Sequence, residues 1–174
     1  MNILSKDELN NESSESLITM LKEKNWRAAY LLGIRKEKTA AVPLLDNLDY
    51  GCIEKELPTM VYTMASLYAL GLIKDIPDIC PIVKVLDIYQ CYLKWMAAWA
   101  LGEIGDPGAI DALRKAGNWD PYGVFWEAGI SITEGNEGVL DKKALRFFRF
   151  LEDKIYMADN KSAIDLALEK LGSV

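Results

Sequence analysis

The stretch Trp95-Met96-Ala97-Ala98-Trp99-Ala100-Leu101-Gly102-Glu103-Ile104-Gly105-Asp106-Pro107-Gly108-Ala109-Ile110-Asp111-Ala112-Leu113 decides the fold. From Leu93 to Ile104, apolar or small residues hold most positions of a helical period with almost no β-branched run, so the segment reads as helix. Gly105 can take the positive φ that ends a helix. Asp106 then serves as N-cap and Pro107 as the first helical residue, where its missing N–H is not needed. The second helix runs to about Ala116 and closes at Gly117-Asn118.

The same pair of helices recurs along the chain. Aligning Gly33, Gly71 and Gly102, at spacings of 38 and 31 residues, brings several columns into register. These are small Ala28, Ser66 and Ala97, aromatic Tyr30, Tyr68 and Trp99, and bulky Trp26, Met64 and Trp95. Downstream, Ala41, Ile79 and Ile110 align, as do Leu44, Ile82 and Leu113. Another step of 31 residues reaches Trp126 and a decayed fourth copy, with Thr133 at the glycine position. The predicted repeats are approximately 25–49, 57–88, 89–117 and 118–150, with a helix at Ser14 to Lys24 before them and a terminal capping helix within 160–172. Seven extra residues near Tyr50 to Glu56 lengthen one connection or helix. The pattern predicts a single all-α domain, 1–174, of about nine or ten helices without strands. Units of this size have no private core, so they stack and share one, which accounts for the 51% apolar content.

Composition removes whole reaction classes. With no histidine there is no Ser-His-Asp or Cys-His couple, no imidazole base and no His-ligated metal. Cys52, Cys80 and Cys91 form no CxxC pair and are expected as buried, reduced thiols. The charged Met1 to Glu8 segment lacks the apolar run of a signal peptide, which predicts a cytoplasmic chain. A net charge of −6 repels phosphate backbones and anionic bilayers, so the expected partners include no nucleic acid and no membrane. Arg27, Arg35, Lys36 and Lys38, and the shorter group Lys142, Lys143, Arg146 and Arg149, are read as solvated helix faces.

The quoted stretch resembles the HEAT-like repeat of phycobilisome lyases, an Ala-rich helix ending in Ala-Leu-Gly-x-Ile-Gly-Asp followed by Pro and an apolar second helix. Unit one keeps Ala28-Ala29-Tyr30-Leu31-Leu32-Gly33 but has Arg35-Lys36-Glu37-Lys38 where the Gly-Asp-Pro turn should be, and unit two has Asp75 at its turn. The resemblance implies a right-handed α-α superhelix, a HEAT/armadillo-like solenoid of about four to five helix pairs. Iron-dependent hydroxylases of similar fold use His-Glu pairs, which this chain lacks. HEAT-like DNA glycosylases need a basic groove, which the acidic total opposes; Asp120 is more simply an N-cap.

What remains is a non-enzymatic scaffold or adaptor that binds another protein on its second helices, with no catalytic, cofactor or metal residues. Leu45, Val83 and Arg114, then Asp46, Lys84 and Lys115, flanked by Val42, Cys80 and Asp111, are the outward positions expected there. Trp119 and Tyr122 fall outside the core columns and are expected as aromatic anchors. The partner residues are thus Asp46, Lys84, Asp111, Arg114, Lys115, Trp119 and Tyr122. Two alternatives stand beside this: a bilin lyase-like chromophore-handling protein, and an acidic inhibitor or immunity protein for a basic enzyme or toxin. Glu127 and Glu134 read as a solvated pair rather than an acid and base. Of Phe147-Phe148-Arg149-Phe150-Leu151, part is expected under the terminal helix and part in self-association, and a poorly capped end predicts a homodimer through the terminal helices.

Overall fold

Side chains that accept the first free N–H groups set where several helices begin. Ser13 accepts from Ser16 N at 3.1 Å and opens α1 (Ser14–Leu21). Asn25 accepts from Arg27 N at 3.1 Å and opens α2 (Trp26–Ile34). Glu37 accepts from Thr39 N at 3.4 Å ahead of the 3-10 turn Lys38–Ala40 that leads into α3 (Ala41–Asp46). Asp106 does the same for Gly108 N at 2.8 Å, ahead of the 3-10 turn Pro107–Ala109 and α7 (Ile110–Gly117). Between them lie α4 (Leu57–Ile73), α5 (Cys80–Val85) and α6 (Cys91–Ile104); α8 (Lys142–Tyr156) and α9 (Ala163–Lys170) follow. The computed structural model describes residues 11–50, 57–88, 91–117, 142–156 and 163–172; among these there is no strand.

The chain is all-α and its helices stack in layers. First helices α2, α4 and α6 pack in succession, and each second helix packs on the layer that follows: α3 on α4, α5 on α6 and α7 on α9. Next to α6 the following layer is α9, whose Ala163, Ile164 and Ala167 are buried. The fourth copy expected within 118–150 lies, as far as residue 141, outside the described residues. Small residues make this stacking possible. A Cβ on Gly33 would stand 2.5 Å from Ala69 Cα, one on Gly71 2.5 Å from the Trp99 ring, and one on Gly102 2.8 Å from Ala167 Cα. Ala28, Ser66 and Ala97 are fully enclosed, and the Ser66 hydroxyl donates to Tyr62 O at 3.0 Å within its own helix.

Unit one keeps the turn whose sequence it has lost. Lys36 (φ 52) and Lys74 (φ 64) occupy the left-handed position that Gly105 (φ 80) holds in unit three. Glu37 stands where Asp106 stands. In unit two the cap slides along the chain: Asp78, rather than Asp75, accepts from the backbone, taking Cys80 N at 2.9 Å. A lysine in this conformation costs about 1–2 kcal/mol, and the turn survives because flanking contacts fix it. Asp75 is held instead by Lys38 Nζ at 2.8 Å from the preceding layer.

Gly33→Ala should lower stability by about 1–3 kcal/mol through overpacking against Ala69. Lys36→Gly should raise it by about 0.5–1 kcal/mol, the relief of left-handed strain less the added freedom of the unfolded chain. Urea denaturation followed by circular dichroism measures both, and opposite signs for the two substitutions are the expected result.

Candidate interaction surface

The first helices carry an aromatic ladder, because residues in the same column of successive layers come to lie side by side. Tyr30 and Tyr68 stack at 6.1 Å between ring centroids, and Tyr68 and Trp99 at 5.1 Å. α8 crosses this ladder. Its Phe147 stacks on Trp26 at 4.8 Å and meets Tyr30 edge-on at 5.1 Å, while Phe150 meets Tyr68 edge-on at 5.6 Å. Such pairs contribute about 0.5–1.5 kcal/mol each beyond burial. Phe147 and Phe150 of the Phe147 to Leu151 run therefore pack across the first helices. Phe147 and Leu151 are completely enclosed. Along the ladder, burial, aided by Tyr30 and the Glu103 carboxylate, pushes the Tyr68 hydroxyl up to about 12.

The second helices present the opposite character. Asp46, Lys84 and Lys115 sit at equivalent positions of α3, α5 and α7 and are all exposed, as are Val42, Cys80 and Asp111 in the adjacent row. Val42 is 52% exposed. In the third row Arg114 is exposed and Val83 half-buried, but Leu45 is buried, which corrects its outward assignment. At this end of the stack α1 packs beside α3. Cys80 is likewise exposed rather than buried, and neighbouring Asp78 pushes its thiol up, away from the reactive thiolate. Trp119 and Tyr122, with Trp126, Glu127, Glu134 and Cys52, lie outside the described residues.

Tyr50 belongs to this face and was not anticipated. It is 42% exposed, and its hydroxyl donates to Pro81 O at 3.2 Å, bridging layers one and two. Its signal was present in the register: 31 residues before Trp119 is Ile88, and 38 before that is Tyr50. Asp87, which pairs with Lys115 at 3.2 Å across layers two and three, was also overlooked.

The third layer, with its helix, Gly-Asp-Pro turn and second helix in place, settles the type of unit. Residues 93–116 match the family model of the PBS lyase HEAT-like repeat. No curated protein and no solved structure gives a match. HEAT-like repeats generally mediate protein–protein interaction, and here the HEAT-like repeat has one face covered by α8 and one open. Among the described residues no helix is long and apolar enough to cross a membrane.

Electrostatics tie the layers together at their turns. Glu103 of layer three accepts from Lys74 of layer two at 3.0 Å and pairs with Lys170 of α9. Burial alone would push the Glu103 carboxyl up, but hydrogen bonds from Lys170 and Lys74 outweigh it and hold the group below its ordinary value. Because the folded chain keeps this carboxylate ionised more readily than the unfolded chain, the stabilisation is complete above the unfolded value. It is lost as pH falls through the lower folded value. Glu103→Gln should therefore destabilise the protein by about 1 kcal/mol at neutral pH, the sum of two partly exposed pairs. Thermal melts from pH 7 to pH 3 should show the gap between wild type and variant closing on the acid side; a constant gap would remove Glu103 as the origin.

Proposed function

We propose that the protein is a non-enzymatic scaffold or adaptor that binds another protein on the face of α3, α5 and α7. The observation that supports this most directly is the exposed strip on those helices. Val42 and Tyr50 are apolar surface at one end, Lys84 lies in the middle, and Asp111, Arg114 and Lys115 lie at the other. A mixture of apolar anchors and charges of both signs is how partner surfaces are composed. The aromatic side of the array is already used by α8, which leaves the second helices as the platform. In this reading the layers wind as a right-handed α-α superhelix of four to five helix pairs, with the second helices on the inner curve and Trp119 and Tyr122 extending the strip past α7. The chain works in the cytoplasm.

The test reverses charge at one end of the strip. Arg114→Glu combined with Lys115→Glu should weaken capture of the partner by about tenfold or more, equivalent to about 1.4 kcal/mol, while helical circular dichroism is unchanged. Affinity capture from native lysate with wild type and variant, read by quantitative mass spectrometry, makes the comparison. Recovery of the same proteins in equal amounts by both would place the binding site elsewhere.

A further inference from the structure

α8 has two faces with different uses. Ala144, Phe147 and Leu151 are buried and Phe150 is half-buried, so its apolar side is consumed by the aromatic ladder. On the other side Lys142, Arg146 and Arg149 are exposed. Their spacing of four and three residues puts them in one stripe about 10 Å long. Elsewhere, five lysines are matched with carboxylates: Lys24 with Asp49, Lys38 with Asp75, Lys74 and Lys170 with Glu103, and Lys115 with Asp87. Lys142, Arg146 and Arg149 form no ion pair with another described residue. In a chain of net charge −6 these three side chains make a concentrated positive ridge.

We propose that this outer face of α8 is a docking site for an acidic segment of a partner protein. Three kinds of polyanion could meet such a stripe, and the structure favours one. A bilayer takes up apolar side chains beside the cations, and Phe147 and Phe150 of α8 are turned inward on Trp26, Tyr30 and Tyr68. A nucleic acid extends well past a 10 Å stripe, so most of its phosphates would face the acidic remainder of the surface, and Phe147 and Phe150 are not free to stack on bases. A short acidic peptide covers the stripe and little else. Its carboxylates, spaced one helical turn apart, match the three cations.

The experiment uses the full chain and a short fluorescein-labelled oligoglutamate peptide, read by fluorescence anisotropy at low and high salt. Labelled duplex DNA and phosphatidylserine vesicles serve as competing probes. The wild type should bind the peptide at low salt and release it as salt rises. K142Q/R146Q/R149Q should bind about tenfold more weakly, since each exposed pair contributes a fraction of that free energy, with an unchanged thermal midpoint. R146K/R149K should retain binding, which separates charge from folding, and the Arg114, Lys115 reversal should leave it unaltered. Equal peptide affinity for wild type and the glutamine variant would overturn the proposal, and so would tighter binding of DNA or vesicles than of peptide.

Discussion

Where α2 meets α4, a Cβ on Gly33 would overlap Ala69, and where α6 meets α9, one on Gly102 would overlap Ala167. Backbones this close leave no room for large side chains along the line of contact, so the columns there must be small, and Ala28, Ser66 and Ala97 are. The large residues are displaced to the flanks. Tyr30, Tyr68 and Trp99, at the same position of successive layers, arrive in register and stack, with the Trp99 ring lying against Gly71. The aromatic ladder is thus a consequence of the glycine contact, and the surface that α8 recognises is made by the repetition itself.

This explains which parts of the structure the sequence disclosed. Contacts that recur in each layer leave a periodic trace, so the small, aromatic and bulky columns could be read directly, and with them the helix pairs. Features that occur once leave none. Leu45 is buried where its counterparts Val83 and Arg114 are half-buried and exposed, at the end of the stack where α1 packs beside α3. The path of α8 over the ladder joins residues more than a hundred positions apart and has no repeat to announce it. The turn of unit one shows the reverse case. Its residues departed from Gly-Asp-Pro while its geometry did not, because a left-handed φ is a steric cost that lysine can meet, not a prohibition. The candidate surface was legible to the same degree: equivalent positions gave Asp46, Lys84 and Lys115 correctly as exposed, whereas Tyr50 and Asp87 act across layers and became visible only in the fold.

The two faces divide stability from recognition. Across the turns, Lys38 to Asp75 and Lys74 to Glu103 to Lys170 link each layer to the next, but such partly exposed pairs are individually weak. A stack held only by nearest neighbours can lose its end layers without disturbing the rest. α8 changes that, because one rigid helix touches Trp26 and Tyr30 in layer one, Tyr68 in layer two, and α6 in layer three.

A brace spanning several layers couples their unfolding. Opening any one of them strips aromatic contacts from α8, and loosening α8 exposes the ladder in all three. Anything that binds only the docked form of α8 therefore stabilises every layer it crosses, by an amount set by ligand concentration relative to its dissociation constant. The geometry that consumes the apolar face of α8 is also what makes its charged face an effective place to act on the whole array.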